Sequence, residues 1–157
     1  MTTNINMLLI CFLFFIGSHT IRSSGCSWNY CATENQRCDQ NSDAIVRYGA
    51  EGHFAYRMTY NGIDCNNSKF GDPRYGVVKS CSYIPLHYDD SKYHFNFAAK
   101  EGETYNYKGN ILVNYGFGSK YTTKEFNDGG VFECSNSEFG DPYYGVKKEC
   151  YVFYCPS

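Results

Sequence analysis

One cysteine-bounded segment occurs twice in this chain, and this repetition limits the possible folds more than any other feature of the sequence. Residues 65–81 read CNNSKFGDPRYGVVKSC and residues 134–150 read CSNSEFGDPYYGVKKEC, with twelve of seventeen positions identical. Two upstream segments match with an offset of 67 instead of 69: residues 28–34 with 95–101, and residues 46–49 with 113–116. Because self-similarity at a fixed spacing is the signature of a duplicated structural unit, the sequence predicts two copies of one small module.

The cysteines predict four disulfide bonds. Apart from Cys11, the chain has eight cysteines, an even number in a short chain, although spacing alone leaves their pairing open. Cys31 and Cys38 lie opposite Ala98 and Tyr105, so both are absent from the second copy together, as expected for a bonded pair. The predicted bonds are Cys31–Cys38, Cys65–Cys81, Cys134–Cys150 and, between the chain ends, Cys26–Cys155. Zinc is the weaker alternative, since the closely spaced Cys or His pairs of such sites are absent.

Short runs rich in β-branched and aromatic residues predict an all-β fold, with Gly, Asn, Asp and Pro in the turns between them. The predicted strands include residues 44–48, 53–60, 77–83, 110–115, 120–126, 130–134 and 146–154. We expect two tandem antiparallel β modules of the sandwich or Greek-key type, closed by the bond between the chain ends. The predicted division is copy 1 at residues 25–84, a linker at 85–92 and copy 2 at 93–157.

The beginning of the chain predicts secretion. Residues 7–17 are almost purely apolar and uncharged, which is typical of a signal-peptide core and shorter than the roughly 20 apolar residues of a membrane span. We expect residues 1–24 to be a signal peptide, with cleavage between 17 and 25, and the mature protein to be extracellular without a membrane span. The formal net charge of −2 and the lack of a clustered basic segment argue against a nucleic-acid partner.

The repeated Phe-Gly-Asp-Pro motif supplies the candidate binding residues. Its structural interpretation is a turn at each Asp-Pro pair; its functional interpretation is a rigid loop that offers a carboxylate, an amide and a tyrosine to a sugar. The candidates are Asn67, Asp72 and Tyr75 in copy 1 and Asn136, Asp141 and Tyr144 in copy 2. One carboxylate per loop is too few oxygen ligands for calcium, so we expect no metal and no cofactor. Asn66 begins an Asn-x-Ser sequon and is a candidate N-glycosylation site.

Two resemblances accompany this pattern. The strings at residues 31–38 (CATENQRC), 46–50 (VRYGA) and 65–81 resemble small accessory modules of secreted polysaccharide-acting enzymes and of stand-alone exported proteins, which implies a β module with a carbohydrate-binding role. Residues 135–148 and 152–155 are similar to the galactose/rhamnose-binding lectin domain of the sea-urchin-egg-lectin type. Arg74 and Tyr143 stand where that family has a cysteine, so no sugar site is carried over from it.

We therefore expect a non-catalytic binding protein with two pseudo-equivalent sites for extracellular glycans or matrix components. Two alternative functions are compatible with the sequence. The sixteen tyrosines are compatible with a structural or interaction protein of a matrix, shell or secretion, and the disulfides with a small toxin or defence effector. An enzyme is disfavoured, since the cysteines are committed to bonds and the histidines do not match between the copies. Glu34 and Glu101 do match, but each more simply caps a turn or pairs with a nearby Lys or Arg. The sequence leaves the oligomeric state open.

Overall fold

The computed structural model describes residues 25–86 and 94–156, whose regular structure is almost entirely antiparallel β-strand. The predicted signal peptide at 1–24 and most of the predicted linker at 85–92 lie outside the described residues. Within the described ranges, no helix has the length and apolar character needed to cross a membrane. The all-β class predicted from the sequence is confirmed.

Both copies of the repeat fold with the same order of elements. Module 1 contains β1 (Asn29–Thr33), β2 (Arg37–Cys38), β3 (Ala44–Ala50), β4 (His53–Thr59), β5 (Ile63–Asp64), α1 (Asn67–Phe70) and β6 (Ser80–Pro85). Module 2 contains β7 (Asn96–Lys100), β8 (Thr104–Tyr107), β9 (Ile111–Phe117), β10 (Lys120–Phe126), β11 (Gly130–Glu133), α2 (Asn136–Phe139) and β12 (Glu149–Tyr154). Seven elements thus have a counterpart at the same place in the other module.

The strand predictions were wrong in two details. The last strands begin at Ser80 and Glu149, three residues later than predicted, because the residues before them belong to the cysteine-bounded loop. The helices α1 and α2 were not predicted, since a single helical turn is too short to show a helical period.

Four strands of each module form one antiparallel sheet, in the order β1-β6-β3-β4 and, for module 2, β7-β12-β9-β10. The register shifts where the first strand meets the last. In module 1 the shift lies between Tyr30 and Ala32, and in module 2 the partners of β12 pass from Phe97 to Ala99. Cys31 and Ala98, the residues passed over, are counterparts in the repeat, so the bulge belongs to the module and does not depend on the Cys31 disulfide.

One face of each sheet is covered by its own module. The strand pairs β2–β5 and β8–β11, together with α1 and α2, supply this cover. In module 1, Val46 and Tyr48 of the sheet pack with Phe70 of the helix. In module 2 the counterparts Val113, Tyr115 and Phe139 form the same kind of cluster. We call these the outer faces, because each points away from the other module.

The opposite faces of the two sheets pack against each other. Ile45 and Ile84 of module 1 meet Leu112 and Phe153 of module 2 in one buried cluster. Since neighbouring strand residues point to opposite faces, Ile45 faces the other module while the next residue lies in the outer core. Leu86 also belongs to this shared cluster, and β6 runs through residue 85, so the described part of the predicted linker continues module 1 and packs into the core between the modules.

All four predicted disulfide pairs are formed. Cys65–Cys81 and Cys134–Cys150 have the same Cα–Cα distance, 5.8 Å, and Cys31–Cys38 has one of 5.1 Å. Cys26–Cys155 joins residues 129 apart in the chain and links module 1 covalently to module 2. Every cysteine in the described part of the chain is therefore bonded.

Candidate functional site

The repeated motif folds into a loop that a disulfide closes at its base and that begins with one helical turn. The Asn66 side chain caps α1 by accepting a hydrogen bond from the backbone N–H of Lys69 at 3.1 Å, and Ser135 caps α2 in the same way. Each helix ends at a glycine with positive φ, Gly71 at 82° and Gly140 at 78°, a region that favours glycine. The same local interactions build this loop in both modules.

An aspartate holds the turn that follows each helix. Oδ1 of Asp72 accepts a hydrogen bond from the backbone N–H of Arg74 at 3.2 Å, and Oδ1 of Asp141 accepts one from Tyr143 at 3.1 Å. A carboxylate bonded to the N–H two residues further on forms an Asx-turn, for which Asp is well suited. The predicted turn at each Asp-Pro pair is confirmed.

A buried lysine lies beneath the loop of module 1. The side chain of Lys79 is 3% exposed, and its Nζ donates to the carbonyl oxygens of Val77 and Arg74 at 2.9 and 3.3 Å. The same Nζ lies 3.2 Å from Glu34 Oε1 and 3.2 Å from Asp72 Oδ1. A buried ammonium group is stable only with such partners, so Lys79 fixes the loop to the first strand region.

Lys148 repeats this arrangement in module 2. Its side chain is 2% exposed and its Nζ lies 3.6 Å from Glu101 Oε1 and 3.2 Å from Asp141 Oδ1. It donates to the carbonyl oxygens of Val146 and Tyr143 at 2.7 and 3.4 Å. Sequence reasoning missed both lysines as site residues. The signal was their identity in the two copies, but lysine is so often exposed that identity alone does not predict a buried ion pair.

A tyrosine of the central strand β3 connects the glutamate to the helix. The hydroxyl oxygen of Tyr48 lies 2.5 Å from Glu34 Oε1 and 2.8 Å from Asn67 Oδ1. The hydroxyl of Tyr115 makes the counterpart contacts at 3.0 and 2.8 Å. Each ring also packs on the helix phenylalanine, with ring centroids 5.2 Å apart in both modules. The polar network is therefore joined directly to the outer hydrophobic core.

The network favours charged carboxylates and a charged lysine. The hydrogen bond from Tyr48, with further help from the Lys79 backbone N–H, lowers the pKa of Glu34 despite its burial. In module 2 the backbone N–H of Lys148 is the largest influence that lowers the pKa of Glu101. Burial alone opposes the charge of Lys79, but hydrogen bonds to its two carboxylates raise its pKa above the ordinary value. Burial, then the hydrogen bond to Glu34, raises the pKa of Tyr48.

The structure brings some of the predicted site residues together and leaves one apart. Asn67 and Asp72 both join the network, through Tyr48 and Lys79 respectively. Tyr75 takes no part in it and is 93% exposed. The three candidates of module 2 lie together around a shallow depression of about 370 Å³: Asn136, Asp141 and Tyr144. Tyr144 is 92% exposed, so each loop displays one aromatic ring above a fixed polar base.

Asn66, the candidate glycosylation site, lies at the base of the module 1 loop. Its Oδ1 accepts hydrogen bonds from the Ser68 hydroxyl at 2.7 Å and from the helix backbone. The side-chain nitrogen, to which a glycan would attach, has no partner among the described residues. Glycosylation of Asn66 stays a prediction.

Glu34 and Glu101 occupy separate networks, one on each outer face. Each pairs with a lysine of its own module, which is one of the two roles expected from the sequence. Among the described residues, no three His, Cys, Asp or Glu side chains are grouped closely enough to hold a metal ion.

Comparison with known proteins adds little to this geometry. No protein-family model matches the chain, and no solved structure is similar to it. One similar sequence is "Uncharacterized protein L701" of Acanthamoeba polyphaga mimivirus, which is 37% identical over 70 residues, or 41% of this chain. The matched region spans 34% of that viral protein, so the chain corresponds to about a third of its length.

Proposed function

We propose that this chain is a non-catalytic extracellular protein whose two outer loops bind glycans. The observation that carries the proposal is the exposure of Tyr75 and Tyr144, 93% and 92%, on loops held by a disulfide and a buried lysine. An exposed aromatic ring can pack on the apolar face of a sugar. Because the loop is already ordered, binding loses little conformational entropy.

The groups beneath the rings suit sugar hydroxyls. In module 2 the depression beside Tyr144 is lined by Asn136 and Asp141. Their Oδ1 atoms are used inside the network, whereas the amide nitrogen of Asn136 and Oδ2 of Asp141 have no partner among the described residues. One donor and one acceptor beside an exposed ring are the elements of a small sugar site.

The position of the two loops supports a bivalent mode of binding. Tyr48 and Tyr115 point to the outer faces, so the loops above them lie on opposite sides of the molecule. A single sugar site of this size is weak, but two sites on one rigid body gain avidity on a multivalent surface. Such a protein would cross-link glycan-coated particles.

Extracellular localisation has its own support. The structure contains four disulfides, and bonds of this kind persist in oxidising compartments. The signal peptide predicted at residues 1–24 and the two sequence resemblances agree with an exported glycan-binding module.

A glycan array and an agglutination assay test the proposal with four variants: Tyr75→Ala, Tyr144→Ala, the double variant, and Tyr30→Ala as a control. Tyr30 is a tyrosine outside the loops that is 63% exposed. We expect each loop variant to abolish agglutination while leaving weak array binding, and the double variant to lose both. Absence of glycan binding by the folded wild type, or full binding by the double variant, would overturn the proposal.

A structural or matrix protein is the second candidate. It is favoured by a row of partly exposed aromatic rings: Phe97, which is 53% exposed, contacts Tyr151, and Tyr151 contacts Tyr121, which is 38% exposed. Exposed apolar surface of this kind is typical of interaction sites. Adsorption to an insoluble matrix that persists in the Tyr75→Ala, Tyr144→Ala double variant would favour this candidate over the loop sites.

A further inference from the structure

Two grooves lie where the edges of the modules meet, and the duplication relates one to the other. The first groove, of about 420 Å³, is lined by Arg47, Gly52, Phe54, Tyr56, Lys124, Glu125 and Asn127. The second groove, of about 820 Å³, contains the repeat counterpart of each of these residues: Asn114, Ser119, Tyr121, Thr123, Arg57, Met58 and Tyr60. The two grooves are therefore equivalent places in the fold with different side chains.

The first groove is filled by an arginine. The Arg47 guanidinium lies between the rings of Trp28 and Phe54, 4.5 and 4.3 Å from their centroids, and 3.4 Å from Glu125 Oε2. Lys124 pairs with Glu138 at 3.1 Å. Both cations of this groove thus have a carboxylate partner, and its charge is neutralised internally.

The second groove has lost these partners. Asn114 replaces the arginine and Met58 replaces the glutamate, which leaves the groove about twice as large. Two basic residues line it, Arg57 and Lys120, and none of the described residues that line it is acidic. Lys69 stands at the position of Glu138, so Arg57 lacks the carboxylate that its counterpart has.

The contacts of the two cations leave their charge available. Arg57 donates to the carbonyl oxygen of the preceding residue at 2.9 Å, and Lys120 lies 4.1 Å above the ring of Tyr143. Neither forms an ion pair with a carboxylate in the described part of the chain. In a chain with a formal net charge of −2, this groove is a local positive site that complements an anionic ligand.

The remaining lining favours a sugar as that ligand. Tyr60, Tyr121 and Phe95 offer aromatic surface, while Asn114 and Thr123 offer amide and hydroxyl groups. An acidic oligosaccharide matches this lining. Its apolar ring faces can pack on the aromatic rings, its hydroxyls can bond to the polar groups, and its carboxylates or sulfates can pair with the cations. We propose that the second groove binds a segment of an anionic glycan, such as a chain of uronic acids.

This site is distinct from the loop site beside Tyr144, although Pro142 of the module 2 loop lines the groove. The second groove and the depression beside Tyr144 have no lining residue in common. The loop variants and the groove variants therefore report on different sites, and either hypothesis can fail while the other stands.

Binding of a fluorescent galacturonate hexamer, measured by anisotropy, tests the inference against a neutral glucose hexamer. The groove variant is Arg57→Ala with Lys120→Ala, and Tyr60→Ala removes an exposed ring. Lys100→Ala with Lys108→Ala is the control: both lysines are exposed and line neither groove, so it removes the same charge elsewhere. Since an exposed charge pair is worth up to about a five-fold change in affinity, we expect the groove variant to bind about ten-fold more weakly.

We also expect Tyr60→Ala to bind the acidic hexamer several-fold more weakly than wild type. The Tyr75→Ala, Tyr144→Ala double variant should bind it with unchanged affinity. The charge control should bind it with an affinity within two-fold of wild type. Failure of wild type to bind the acidic hexamer overturns the inference. So does an equal loss in the groove variant and the charge control. Equally tight binding of a glutamate hexapeptide would also overturn it, because the ligand would then be an acidic peptide and not a glycan.

Discussion

The outer networks and the grooves between the modules have diverged to very different extents since the duplication. In the outer networks, Glu34, Tyr48 and Lys79 of module 1 have identical counterparts in module 2, with corresponding contacts. In the grooves, Arg47 is opposite Asn114 and the surroundings differ in charge and volume. A buried network of ion pairs tolerates no single replacement, since one change leaves a buried charge unpaired. A groove at the surface has no such constraint.

The largest expected effect concerns the disulfides that close the loops. Replacing Cys65 and Cys81 by alanine, or Cys134 and Cys150, should lower the free energy of unfolding by about 3 kcal/mol in each case. Each bond joins residues separated by 16 positions, so equal losses are expected. Urea denaturation measures both. A loss confined to one module would contradict the equivalence of the outer faces.

Two substitutions convert the Arg47–Glu125 ion pair of the first groove into the Asn and Met found at the same positions of the second groove. Glu125→Met should lower the free energy of unfolding by about 2 kcal/mol, because Arg47 is left without its carboxylate partner. Glu125 also accepts hydrogen bonds from the backbone N–H of Cys26 and from Trp28 Nε1. The double variant Arg47→Asn, Glu125→Met should lose less than the sum of the single losses, as a double-mutant cycle would show.

The matched control for this conversion is Met58→Glu, the reciprocal change in the second groove. Met58 is 48% exposed, so its replacement should change stability by no more than about 0.5 kcal/mol. A large loss in this variant would mean that the second groove is as tightly packed as the first.

Apart from that control, the smallest expected effect compares the two outer networks. Tyr48→Phe and Tyr115→Phe should each lower the free energy of unfolding by about 1 kcal/mol at neutral pH, because each removes one buried hydroxyl. Thermal or urea unfolding of the two variants side by side measures this. Losses that differ by more than two-fold would show that the networks are not equivalent in energy.

The pH dependence of stability on the acid side should differ between Tyr48→Phe and Tyr115→Phe. A carboxylate with a lowered pKa contributes stability above its unfolded pKa, near 4.5, and this is lost as the pH falls through its folded pKa. The hydroxyl of Tyr48 is the largest influence on Glu34, whereas for Glu101 it is a backbone N–H. Tyr48→Phe should therefore flatten the acid-side fall in stability more than Tyr115→Phe does. An equal change in both variants would contradict these assignments.

Comparison of the two copies within the sequence predicted the covalent framework. Cys31 and Cys38 are absent together from the second copy, and a bonded pair is lost together because one cysteine alone would leave a free thiol. The strands β3, β4, β9 and β10 were also predicted, since their patterns of apolar and β-branched residues are local. The turns at Asp72 and Asp141 follow from the side chain itself.

Other parts of the candidate sites had no local signal. Lys79 reaches a glutamate 45 residues away, and Trp28 donates to a carboxylate 97 residues away. A single sequence does not show which of many charged residues meet. The display of Tyr75 was only one interpretation of the motif, because a tyrosine beside a glycine is compatible with a packed or a displayed ring.

The sequence by itself determined the all-β class, the duplication and the four disulfides, because these depend on short-range patterns and on matching the two copies. Only the tertiary structure decided which faces of the sheets meet, which lysines are buried and which groove stays open. Those properties depend on contacts between residues far apart in the chain. Such contacts form only when both modules pack around Ile45, Ile84, Leu112 and Phe153.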